Sequence, residues 1–123
     1  FDSTRGFGWA RDISANHRRR GKLAGDWRDT FLFTRTHDIW ECVVPNGRYR
    51  VTVCIGDSDH EQTGQNVAVE GTPAVRDCTT RAGRFAEKTV DVEVKDGRLT
   101  VEIGRPGGTA NTCLNWLRWL PVP

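Results

Sequence analysis

Residues 44–57 read Val44-Pro45-Asn46-Gly47-Arg48-Tyr49-Arg50-Val51-Thr52-Val53-Cys54-Ile55-Gly56-Asp57, and this stretch decides the fold. Tyr49, Val51, Val53 and Ile55 fall on one face, and Arg48, Arg50 and Thr52 on the other. That period of two predicts a β-strand with one buried face. Pro45-Asn46-Gly47 predicts a tight turn, because proline presets its backbone angle while asparagine and glycine accept turn dihedrals. Ahead of the turn, Ile39 to Val44 predicts a strand joined to the first by that tight connection.

The same pattern extends outward. Val90, Val92 and Val94 alternate with Asp91, Glu93 and Lys95, and Asp96-Gly97 then turns the chain into Leu99, Val101 and Ile103. This is the strongest hairpin signal in the chain. Shorter strands are predicted at Phe31–Thr34, Val67–Glu70 and Val75–Thr79. Cys113 to Leu120 is apolar on both phases, which predicts a strand buried between layers. Residues 7–29 read as irregular and polar, with room for a short helix. Short strands, many turns and little helical periodicity predict an all-β antiparallel sandwich of the jelly-roll type.

Counting strand directions locates the loops. With Pro45-Asn46-Gly47 placed at the bottom, the tight turns at 71–73 and 96–97 fall there too. The longer connections 56–66, 80–88 and 104–112 all fall at the top. Long loops on a rigid scaffold are where binding concentrates.

The chain has 123 residues, with 18 basic and 16 acidic side chains. That length fits one domain with a real core. The near balance of charge gives no field for nucleic acid or membrane, and no apolar run approaches the roughly 20 residues of a bilayer span. His17, Arg18, Arg19, Arg20 and Lys22 are the local exception: a solvated basic loop, or a contact for an anionic glycan. The chain starts on Phe1 and ends Pro121-Val122-Pro123, so the expectation is a module over 1–120 followed by the start of a linker at 121–123.

Cys42, Cys54, Cys78 and Cys113 are widely spaced, with no C-x-x-C pair to favour zinc. Two readings stay open: one or two disulfides of an exported protein, or buried free thiols. Strand parity brings Cys54 and Cys113 to the top and makes them the favoured pair.

Asp57, Asp59 and His60 form the densest polar cluster. Sugar-hydroxyl hydrogen bonding, an Asx-turn and acid–base chemistry all suit them. The glycine-rich loop 104–112 has no phosphate-loop spacing, but it permits close approach of a ligand beside Arg105 and Asn111. Among five tryptophans, Trp40, Trp116 and Trp119 lie in strands and read as core. Trp9 and Trp27 lie in the irregular N-terminal stretch and are candidates for stacking on a sugar ring. Tyr49 reads as structural, and Asn115 as a satisfied structural amide or an ion ligand rather than a sugar contact.

The 44–57 segment resembles the VPNGxYxVTVxxGD stretch of galactose-binding-like modules. Val67-Ala68-Val69-Glu70-Gly71, Gly83-Arg84-Phe85, Asp96-Gly97-Arg98-Leu99-Thr100 and Asn115-Trp116-Leu117 follow in the same order. The whole is similar to malectin-like domains, to carbohydrate-binding module families 35 and 6, and to the N-terminal domain of rhamnogalacturonan acetylesterases. It covers 39–120 well and the N-terminal third poorly. The resemblance implies a secreted, monomeric, non-catalytic module that binds a polysaccharide or oligosaccharide for a covalently linked catalytic domain. It implies sugar contacts at Asn111 and Trp9. A structural calcium is implied by the families but not supported here, because the early acidic ligands are missing and Asn115 stands where the final-strand aspartate belongs. The other readings are a structural or protein-interaction sandwich, and a small hydrolase or lyase using Asp59 and His60.

Overall fold

The computed structural model describes all residues, 1–123. Ten strands and one 3-10 turn build two antiparallel five-stranded sheets. They are β1 (Phe7–Trp9), β2 (His17–Arg19), β3 (Thr30–Thr34), β4 (His37–Val43), β5 (Gly47–Asp57), β6 (Gln62–Val69), β7 (Thr72–Thr80), β8 (Arg84–Val94), β9 (Arg98–Gly104) and β10 (Thr112–Pro121). One sheet runs β1-β4-β9-β6-β7 and the other β2-β3-β10-β5-β8. The expected sandwich is therefore present, with two extra edge strands, β1 and β2, from the stretch read as irregular. The short helix of that stretch is a single 3-10 turn at Trp27–Asp29, capped by Asp26.

The core lies between the sheets. Val51, Val53 and Ile55 of β5, Val92 and Val94 of β8, and Leu99, Val101 and Ile103 of β9 are all buried. Each such side chain contributes about 1.5–3 kcal/mol by leaving water. Tyr49 is buried with them, and its hydroxyl donates to the Pro45 carbonyl at 2.6 Å.

Both expected hairpins are corrected. β4 and β5 lie in different sheets, and so do β8 and β9. Pro45-Asn46-Gly47 and Asp96-Gly97 are arches that carry the chain across the core. Alternation of apolar residues demands a buried face, and facing another sheet satisfies it as well as lying beside a neighbour does. The arches hold each other: Gly97 N–H donates to the Asn46 side-chain oxygen at 2.7 Å, and Val44 N–H to the Gly97 carbonyl at 3.1 Å. A two-residue hairpin does occur at Glu70-Gly71, where both residues have positive φ, 48° and 75°.

The direction count holds. The upper connections shrink to 58–61, 81–83 and 105–111, because the strands run further than the hydrophobic alternation does. At the lower end, Pro121 pairs with Tyr49 and Val122 N–H donates to the Arg48 carbonyl at 3.0 Å. Pro121 thus closes β10, and Val122 follows it with one hydrogen bond to β5.

β10 is not simply buried on both sides. Its register passes from Leu114 opposite Ile55 to Trp116 opposite Cys54, so Asn115 is an extra residue in a β-bulge. A bulge shifts the phase of alternation. Leu114, Leu117 and Trp119 all reach the core, while Cys113 and Trp116 take the opposite face.

The four cysteines are free. The expected Cys54–Cys113 bridge is absent because Cys54 lies across from Trp116 while Cys113 lies across from Phe33. The two thiols are offset by three positions along β10.

Candidate functional site

β3 pairs with β10 only from Thr112 to Leu114, so the edge of β10 beyond the bulge has no strand beside it. A cleft of about 460 Å³ opens there between the two sheets. Trp9 and Trp40, paired neighbours on β1 and β4, form one wall. Leu114, Leu117 and Trp119 of β10 form the other. The Trp40 and Trp119 rings meet at the back, centroids 5.8 Å apart and planes inclined at 57°. At the mouth stand His17, Arg18, Arg19 and Thr30, with Asn115 and Trp116 on the β10 side.

All four tryptophans of the cleft are half-buried. Trp40, Trp116 and Trp119, read from sequence as core, thus present ring surface to solvent. An apolar cleft of this volume with a few polar groups at its rim matches what small ligands occupy. Flat indole rings complement the C–H face of a pyranose, and rim donors suit its hydroxyls.

Trp27 is 76% exposed and flanks the same region from outside. It borders an open hollow that also includes Arg28, Glu87 and Trp116. Trp116 lines both spaces, so Trp27 continues the aromatic surface of the cleft across the outer face of the sheet.

The expected upper-rim residues are dispersed. Asp57 is fully buried and receives Arg20 Nε at 2.9 Å and Nη2 at 2.8 Å. It also accepts Asp59 N–H at 2.9 Å and Gln62 Nε2 at 3.1 Å. Burial alone raises its pKa, but these donors outweigh burial and hold it below the ordinary value. Both oxygens are thus committed to tying the N-terminal stretch onto β5. Asp59 and His60 stand exposed on the 58–61 turn, 3.8 Å apart, with Lys22 3.9 Å from Asp59. Arg105 is exposed on the 105–111 loop. Asn111 lies across the sheet beside Arg18, Arg20 and Arg35. The structure therefore brings Trp9 to the cleft and Trp27 to its flank, and leaves Asp59, His60 and Arg105 outside it.

The N-terminal stretch owes its shape to carboxylates. Asp29 is buried and accepts the N–H groups of Lys22 and Leu23, both at 2.9 Å. Arg11 Nη2 donates to buried Asp38 at 2.9 Å, and Asp26 is held down to about 2, chiefly by its hydrogen bonds from Arg28. These anchors place Trp9 and the His17–Arg19 edge over the cleft.

The Asn115 amide donates toward the carbonyls of Gly56, Thr30 and Arg28 at 3.1, 3.2 and 3.4 Å. Three carbonyl oxygens thus converge on an amide nitrogen, with no carboxylate among them. Calcium is held by carboxylates supplemented by carbonyls, so this donor set does not fit it. No three His, Cys, Asp or Glu side chains converge elsewhere either. Burial pushes the Cys54 thiol up to about 11 and Cys113 up to about 12, so neither offers a thiolate near neutral pH.

The two-sheet sandwich fold is shared with carbohydrate-binding modules of family 35. The module of that family from Paenibacillus barcinonensis matches with a TM-score of 0.52 at 14% identity, over 95% of this chain and 94% of that one. The Bacillus subtilis protein YXIM matches with a TM-score of 0.65 at 23% identity, over 98% of this chain and 33% of that one. In sequence, the chain is 30% identical over 117 residues to β-agarase A of Zobellia galactanivorans, covering 91% of this chain and 21% of the agarase. The chain therefore spans about a fifth of that relative and a third of YXIM. No protein-family model matches it.

Proposed function

We propose that this domain is a non-catalytic, extracellular module that binds a polysaccharide or oligosaccharide on behalf of a larger glycan-active protein. One observation carries the reading: four half-exposed tryptophans from both sheets converge on an apolar cleft with a polar mouth. A sugar ring stacks between Trp9 and Trp119, with Trp116 at the mouth, and His17, Arg18, Arg19 and Thr30 meet its hydroxyls. Arg18 and Arg19 at the mouth face only one nearby carboxylate, Asp29, 3.7 Å from Arg19, which favours a uronic-acid or sulfated glycan. Family 35 modules share the fold, and about a fifth of a β-agarase is 30% identical to this chain, which supports an accessory role beside a catalytic domain.

Affinity electrophoresis of the isolated domain on neutral and acidic plant and marine polysaccharides, agarose included, tests this. Retardation by at least one polysaccharide, lost in Trp9→Ala, is the expected result. Free migration in every gel contradicts it, and turnover of a glycan abolished by His60→Ala contradicts the non-catalytic part.

A further inference from the structure

Above the cleft, on the outer face of the β2-β3-β10-β5-β8 sheet, three arginines gather around two buried phenylalanines. Phe31 and Phe33 meet edge to face, centroids 6.2 Å apart. The Arg18 and Arg35 guanidiniums lie 4.9 and 5.3 Å from the Phe33 centroid, and Arg20 lies 5.2 Å from that of Phe31. Together with Asn111 they border a hollow of about 110 Å³ whose floor includes Cys113.

The charges in this cluster do not balance. Asp57 is the one carboxylate ion-paired to it, and it is taken up by Nε and Nη2 of Arg20. Arg18 donates only to the His17 backbone carbonyl, at 2.7 Å, and Arg35 has no ion-pair partner. Two positive charges are thus held against aromatic rings without a counter-ion. Packing on a ring pre-orders a guanidinium, so less freedom is lost when it grips an anion. The floor adds no opposing charge, since burial keeps the Cys113 thiol protonated.

At about 110 Å³ against about 460 Å³, the hollow is much smaller than the tryptophan cleft, which suits a single anionic group better than a whole sugar ring. Position supplies the link: Arg18 and Phe31 line both this hollow and the tryptophan cleft.

We propose that the hollow between Arg18, Arg35 and Asn111 binds the anionic substituent, a sulfate ester or a carboxylate, of a glycan whose ring lies in the tryptophan cleft; this rests on reading that cleft as the glycan site. Arg18 and Arg35 supply charge-assisted hydrogen bonds, and the Asn111 amide adds a neutral donor. The cleft then selects for a sugar and the hollow for its charge.

Calorimetric titration of the domain with a neutral galactan oligosaccharide, its sulfated counterpart and an oligogalacturonide is the test. One charged ligand is expected to bind at least about tenfold more tightly than the neutral one, and which of the two it is names the group. Arg35→Ala, an exposed change outside the cleft, is expected to erase that preference and leave the neutral affinity unchanged. Asn111→Ala is expected to reduce it by about threefold. Equal affinity for all three ligands overturns the proposal while leaving the cleft reading intact, and so does a preference that survives Arg35→Ala. Absence of binding by every ligand overturns the cleft reading and this proposal together.

Discussion

Trp40 of β4 and Trp119 of β10 meet across the gap between the sheets, ring centroids 5.8 Å apart and planes inclined at 57°. Each ring packs against the core on one side and borders the cleft on the other. The pair therefore sets both how far apart the sheets stand at this edge and how deep a ligand can enter. Trp119→Ala is expected to cost about 3 kcal/mol of stability and to abolish glycan binding. Urea unfolding and calorimetry on the same sample check both. Unchanged binding by a destabilised variant would detach Trp119 from the site.

Trp27 offers a cleaner separation of binding from folding, because it is 76% exposed. Its removal is expected to leave the unfolding midpoint within experimental error. Affinity for long oligosaccharides should fall about fivefold, with little change for a disaccharide that fills only the cleft. Equal losses for short and long ligands would place Trp27 inside the primary site instead.

Much of the sandwich was legible because β5, β8 and β9 carry a period of two and glycine, proline and asparagine punctuate the strands. Which strands lie side by side was not. Val92, Val94, Leu99 and Val101 need a buried face, and their alternation reads the same whether the partner is a neighbour or the opposite sheet. β1 and β2 were illegible for another reason. With three residues each, they are held by long-range contacts such as Trp9 opposite Trp40 and Arg20 on Asp57, which leave no local pattern. The candidate cleft was half legible for the same reason. Trp9 and Trp27 stood out as aromatics in a polar stretch, whereas Trp116 and Trp119 were hidden by the bulge at Asn115. An odd apolar phase after a polar residue within a strand was the available signal.

Asp57 gives the fold a defined acid sensitivity. Its folded pKa lies below the ordinary 3.8, so the folded state binds fewer protons than the unfolded chain between the two values. The stabilisation is complete above about pH 4 and is lost as pH falls through the folded value. Asp57→Asn is expected to cost about 3 kcal/mol at neutral pH by leaving Arg20 unpaired, and to flatten the loss of stability as pH falls below about 4. Urea midpoints of both proteins across that range check this; parallel curves would contradict it.

The upper end depends on Gly104. Its φ is 72°, and a Cβ there would stand 2.1 Å from the Thr36 carbonyl oxygen, whose acceptor role toward Arg105 N–H, at 2.9 Å, closes the end of β9. Gly104→Ala is expected to destabilise the domain by about 2–4 kcal/mol. A midpoint equal to that of the wild type would show that the loop yields freely.

Cysteine accessibility reports on the sheet packing. Cys42 and Cys78 are half-buried, whereas Cys54 and Cys113 are buried and their thiols pushed up to about 11 and 12. A thiol reagent at pH 8 is expected to modify the first two readily and the second two only on unfolding. Four equally fast thiols, or a mass lower by two hydrogens, would contradict the arrangement.

On the proposed reading the ligand lies between the sheets and not on the upper loops. The most direct test is to follow the five indole N–H resonances during titration with a bound oligosaccharide. The signals of Trp9, Trp40, Trp116 and Trp119 are expected to move together at the first additions, while the backbone of 58–61 stays in place. Shifts confined to residues 58–61 and 105–111, with the indole signals unmoved, would contradict it.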